Sequence, residues 1–389
     1  MSIVLNKKNI NSIFISILIF ICVLVPSDIY NFKKIFFIII IGLNIRLIIK
    51  SIFNNKNLLI SFYGLFFPIL LFLYSSILTG DILTSFGRSF APFMLLILFI
   101  IKKYEVKYEK ILLNTIKALA LFTLLFVILD IFKFINVNAG MFREKIIYGY
   151  GIGLMGKSLE YPFYYKIFFK TSPLFVLLLF KQVDDAGYFM SLITMIALII
   201  SGTRANVLFP VLFVLIFALF HVKNKYKDIK YILFIFIFVT LMLFLNDLIM
   251  IFKETFISKG AISNTIRLGH IQGIKELFVN KPWIILFGSG MGSEFYSYGI
   301  NSLTSSIEWS YVDLLRQMGI FFFMIFMFFV LAPFVFIKKI AIYKKYSYLT
   351  YLFIAATNPL LFSSTSYLVF IYMYISYYNK RYVKGVAVR

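Results

Sequence analysis

The chain has 389 residues, 61% of them hydrophobic and only 14% charged, with a mean hydropathy of +0.93. Soluble proteins are roughly 45–50% apolar and about 25% charged, so a soluble enzyme of this size is excluded for want of polar surface, and disorder is excluded by the same numbers. The net charge of +23 comes from 39 Lys+Arg against 16 Asp+Glu; in so apolar a chain it points to basic loops on one side of a membrane rather than to nucleic acid.

A membrane-spanning helix needs about 20 mostly apolar residues. Twelve predicted spans follow in chain order: 11–26, 35–49, 58–78, 82–101, 111–132, 166–180, 187–202, 204–221, 231–251, 310–337, 346–362 and 364–378. The expectation is a single all-α integral membrane domain over 1–389. The weakest segments are the second, interrupted by Asn44 and Arg46, the short sixth, and the closely spaced last pair. The first segment does not read as a cleavable signal, because Pro26 and Asp28 follow it without a small-x-small site.

Basic residues orient the spans. With the N-terminus inside, the cytoplasmic segments hold 21 Lys or Arg, from Lys7 and Lys8 to Arg389, against 3 in the four short outer connections: Lys33, Lys34 and Arg204. The positive-inside rule then predicts both termini in the cytoplasm. Two long connections, 133–165 and 252–309, fall outside, and long loops are usually functional. In the second, Ile271, Ile274 and Phe278 recur at helical spacing and predict a helix near 264–279. "FGSGMGS" at 287–293 lacks the Lys-Ser/Thr of a nucleotide-binding loop and reads as a tight turn.

Charge at membrane depth is costly and so marks candidate sites. Toward the outside these are Asp81, Arg88, Asp130, Arg204, Asp247, Glu308, Asp313 and Arg316, joined by Arg267 and His270 from the large loop. Several arginines with a few acids suit an anionic substrate at the outer leaflet. Arg204 follows the break Ser201-Gly202-Thr203; at a helix N-terminus it reads as a phosphate site or as an arginine snorkelling to the interface. Arg267 and His270, three apart, share a helix face, either as a second phosphate clamp or as a solvated surface. Glu308 in "SSIEWSYVDLLRQMG" reads as a first-turn acid behind a Ser305 or Ser306 cap, or as a general base sharing a helix face with Tyr311, Val312 and Leu315. Asp313 and Arg316 have the spacing of an intrahelical pair.

Taken together, "SGTR" at 201–204, "NTIRLGHIQGIKELFVNKPWIILFGSGMG" at 264–292 and "EWSYVDLLRQMG" at 308–319 resemble, in order and spacing, the O-antigen ligase/polymerase superfamily. The likeness covers residues 190–330; the N-terminal half matches only in having many spans. Glu308 followed by Trp309 stands where the ligases have His and a small polar residue, and His270 stands where an aromatic residue is often found. An acid at position 308 is more like the polymerases.

The resemblance implies a metal-independent inverting glycosyltransferase of the C type that needs no cofactor and acts at the outer face of the bacterial cytoplasmic membrane. Its substrates would be undecaprenyl-pyrophosphate-linked glycans, joined into O-antigen, capsule or exopolysaccharide, with a chain-length regulator and a flippase as further partners. Glu308 would be the catalytic base; Arg204, Arg267 and Arg88 would bind pyrophosphate, supported by His270, Tyr311, Asp313 and Arg316. The alternatives are the ligase, which transfers finished glycan to another acceptor, and a lipid-linked-glycan flippase or transporter. Transporters usually show two similar halves, and none is visible here.

Overall fold

In the computed structural model, which describes residues 7–27, 31–157, 165–221, 259–336 and 340–386, the chain is mostly helical. The predicted ninth span at 231–251, Asp247, and the start of the 252–309 connection lie outside the described residues.

Six described helices are long and apolar enough to cross a membrane: α1 (Lys7–Leu24), α4 (Leu58–Thr79), α5 (Ile82–Tyr104), α6 (Tyr108–Ile131), α9 (Arg204–His221) and α12 (Ser310–Phe336). A seventh is the pair α2 (Phe32–Leu43) and α3 (Ile45–Ile52), if a helix bent by 78° is one span. The bend falls on Asn44, whose Nδ2 donates to Ile40 O at 2.9 Å and to Asn11 Oδ1 at 2.6 Å, so a buried amide pair pins it to α1. The polar residue that interrupts the apolar run thus becomes the hinge and a helix–helix contact.

Three of the remaining helices are shorter than a bilayer crossing. α7 (Phe175–Asp184) has 10 residues, α8 (Tyr188–Ile200) 13 and α13 (Ile342–Ala356) 15, so α7 is only ~15 Å long. The expectation of one helix over 166–180 is corrected. Its first residues form strand β2 (Tyr165–Phe169), antiparallel to β1 (Gly153–Lys157), and the helix begins only after Pro173. Tyr165, Ile167 and Phe169 are buried while Lys166 is exposed, a period of two that an apolar window cannot tell from a helix. From Phe175 to Phe180 every side chain of α7 is buried, which makes it a central element rather than a lipid-facing one.

The long 252–309 connection carries α10 (Lys259–Asn280), α11 (Trp283–Phe287) and the hairpin β3 (Phe295–Ser297) with β4 (Ser302–Thr304). A small core of Ile274, Phe295 and Ile307, flanked by Phe278 and Trp309, seats α10 on the approach to α12. The last helix is α14 (Ser364–Val386), with Tyr367–Tyr374 buried.

Charged contacts sort the helix ends into two groups. Lys8 pairs with Glu105 at 3.4 Å and Lys344 with Glu109 at 2.6 Å, and Lys181 lies 5.1 Å from the centre of the Tyr343 ring. These contacts bring together the basic segments assigned to the cytoplasm. At the opposite ends, the glycine loop meets α4 and α5: Met291 N donates to Ser75 Oγ at 2.9 Å, and Gly290 and Gly292 abut Thr79 and Thr84. Two acids there have structural roles. Asp81 caps α5 by accepting from Thr84 N at 3.0 Å, and bonds from Thr84 hold its carboxyl below the usual range. Asp130 accepts from Tyr165 Oη at 2.8 Å, Val137 N at 3.1 Å and Lys157 Nζ at 3.3 Å, tying α6 to the first hairpin.

Candidate functional site

The site is built on a break in α12. Gly319 has φ 67° and ψ 172°, so the helical run stops there and restarts. A break of this kind orphans carbonyls of the preceding turn, and the glycine loop takes them up: Ser289 N donates to Arg316 O at 2.9 Å and Gly290 N to Gln317 O at 3.0 Å. A Cβ on Gly319 would stand 2.3 Å from Gly288 N, and one on Gly288 2.3 Å from Gln317 O, so the two segments meet backbone to backbone where only glycine fits.

Arg316 locks this junction. Its guanidinium is fully buried and donates to Asp313 Oδ1 at 2.8 and 3.1 Å, Ser293 Oγ at 2.9 Å, Ser293 O at 3.0 Å, Ser305 O at 3.1 Å and Ser289 Oγ at 3.3 Å. It also lies 4.7 Å from the centre of the Phe295 ring. Asp313 Oδ2 in turn accepts from Gln317 Nε2 at 2.9 Å and from Ile307 N at 3.4 Å. The intrahelical pair is therefore the centre of a network that fixes the glycine loop and the turn 305–309.

That turn carries Glu308. The helix starts at Ser310, with Trp309 O accepting from Asp313 N at 3.0 Å, so Glu308 stands before the helix. This corrects two expectations: Ser305 and Ser306 do not cap α12, and Glu308 shares no helix face with Tyr311. Tyr311 turns to α13, donating to Leu352 O at 3.3 Å. Glu308 Oε2 accepts from Arg267 Nη2 at 2.6 Å and Nε at 3.0 Å, so the large-loop arginine and the acid, distant in sequence, are in contact.

Below Glu308 is a cavity of about 390 Å³. Glu308, Arg88, Lys170, Asp313, Gln317 and Asn358 bring polar groups to it, and Phe168, Met291, Leu314, Leu360, Leu361 and Phe362 an apolar wall. Arg88 is joined to the turn through Nη2–Ser305 Oγ at 3.2 Å. Such a lining suits a ligand that is anionic at one point and apolar or ring-shaped beside it.

The expected cations do not all converge. Arg88 lines the cavity, and Arg267 reaches Glu308 at its mouth. Arg204 begins α9 as expected, but Gly202 beside it packs on Lys166 of β2, and Arg204 is not among the cavity-lining residues. His270 is buried with Nδ1 2.6 Å from Ser297 Oγ, and burial lowers its pKa against the raising effect of Glu308 and Asp313. A neutral histidine fastening α10 to β3 is a joint of the loop rather than a phosphate clamp. Lys170 and the 358–362 connection were not singled out from sequence. Lys170 sat inside a segment assigned to a span; the cost of charge at membrane depth was itself the signal that could have marked it.

Comparison with protein-family models, curated proteins and solved structures finds no match.

Proposed function

We propose that this chain is a polysaccharide polymerase that joins undecaprenyl-pyrophosphate-linked repeat units at the outer face of a bacterial cytoplasmic membrane. The observation that carries the reading is a carboxylate, Glu308, at the mouth of a cavity that also holds Arg88 and Lys170. The acceptor hydroxyl attacks the anomeric carbon of the donor sugar. Its proton passes to Glu308, the bond from that carbon to the pyrophosphate oxygen breaks, and lipid pyrophosphate leaves. A single cysteine and two histidines make a Cys/His metal site a poor expectation, so the leaving charge falls to Arg88, Lys170 and Arg267. The resemblance of 190–330 to the O-antigen ligase/polymerase superfamily supports the same chemistry and a C-type, polytopic architecture.

Deletion of the gene followed by gel analysis of surface glycan tests this reading. A polymerase defect leaves single repeat units. Unattached lipid-linked polymer identifies the ligase instead, and an unchanged ladder rejects both.

The orientation belongs to the proposal: both termini in the cytoplasm and Glu308 outside, supported by the 21-to-3 distribution of basic residues. Cysteines introduced at the exposed positions Ser302 and Lys103 separate the two sides; the native Cys22 is buried. A membrane-impermeant thiol reagent applied to intact cells is expected to label position 302 and spare 103. The opposite pattern inverts the protein.

A further inference from the structure

From the Arg267–Glu308 ion pair we infer that the anionic donor and Glu308 compete for one guanidinium, so that the carboxylate is released only when a diphosphate is bound. This rests on the proposed polymerase chemistry. The pair joins two elements that are otherwise fixed. α10 is seated by backbone contact, with a Cβ on Gly269 falling 2.2 Å from Gly299 N and one on Gly273 2.1 Å from Tyr296 O, and by the His270–Ser297 bond. Glu308 is held by the turn that Asp313, Arg316 and Arg88 pin through Ile307 N, Ser305 O and Ser305 Oγ. With both backbones anchored, the pair opens by side-chain rotation alone.

The bond is also of a kind that can be exchanged. Both guanidinium nitrogens converge on Oε2, a one-oxygen contact rather than two parallel bonds. The side chains are 23% and 55% exposed, so water screens the attraction. A diphosphate presents more oxygens and more charge, in the geometry an arginine fork prefers. When Arg267 turns to the donor, the Oε2 of Glu308 that it occupied is freed to face the acceptor hydroxyl. The base is then unmasked only after the leaving group is engaged, which protects the donor from premature attack.

The test is a binding cycle that needs no turnover. Inorganic pyrophosphate is titrated calorimetrically, without divalent metal, into the full-length protein in nanodiscs, comparing wild type, Glu308→Gln, Arg267→Ala and the double variant. Competition predicts that Glu308→Gln tightens binding by about fivefold when Arg267 is present and much less when it is Ala. If Glu308 merely repels the anion, the gain in the Arg267→Ala background is as large or larger, and the inference is overturned. It is equally overturned if no variant binds pyrophosphate. A protein that shows the cycle without polymerising glycan refutes the polymerase assignment and keeps the competition; a polymerase with a flat cycle does the reverse.

Discussion

Glu308→Gln is expected to lower polymerisation by roughly 10²–10⁴-fold, the usual contribution of a positioned base, with the protein still folded. The amide keeps the shape and a hydrogen-bonding oxygen for Arg267 but cannot take the acceptor's proton. The structure makes a folding defect a poor rival explanation. Glu308 is exposed, stands before the first turn of α12, and makes its ion pair at a partly exposed site, where such pairs contribute about 0–1 kcal/mol. The measurement is in vitro polymerisation of lipid-linked repeat units by purified protein at equal folded concentration. Activity within about threefold of wild type, well short of what a base contributes, removes Glu308 as the base. Asp313→Asn is the informative companion. Asp313 is buried against Arg316, so that variant is expected to lose folded yield before activity per folded molecule changes.

Arg316→Met is expected to destabilise the protein by about 3–5 kcal/mol, the range for removing one partner of a buried ion pair. The methionine fills much of the volume but leaves the Asp313 carboxylate buried without its cation, and removes the guanidinium donors to the Ser293 and Ser305 carbonyls, of which Ser305 O keeps only a long bond from Gln317 Nε2. Arg316→Lys is expected to rescue only part of the loss, because one ammonium cannot reach Asp313, Ser293 and Ser305 together as the planar fork does. Asp313→Leu combined with Arg316→Met should be less destabilised than Arg316→Met alone, since no unpaired charge remains. The readout is the thermal midpoint of purified protein in detergent. An Arg316→Met protein that melts with wild type shows that the network is not needed to close the glycine loop on α12.

Composition alone places the chain in a membrane, because burial in lipid is a compositional demand: 61% hydrophobic and 14% charged residues permit nothing but a membrane bundle. The sequence also marked most of the polar positions that matter. Asn44 was visible as an interruption, the glycine loop as a tight turn, and Arg88, Arg267, Glu308, Asp313 and Arg316 as charges too costly to be idle; the break at Gly319 was not, because the apolar run 310–337 reads as one span. What each of them does was decided by tertiary structure. Arg316 and Glu308 look alike in the string, two charges near the start of an apolar run. One is buried and donates to Asp313, Ser289, Ser293 and Ser305, and the other is exposed at the edge of the cavity. Only long-range folding brings Ser293 to Arg316, Arg267 to Glu308, and Lys170 to the cavity that holds Arg88. The strand at Tyr165–Phe169 was hidden for a related reason. Its apolar content satisfies a hydropathy window, but a strand is stabilised by a partner, and that partner is a separate segment, Gly153–Lys157, whose pairing no local pattern announces.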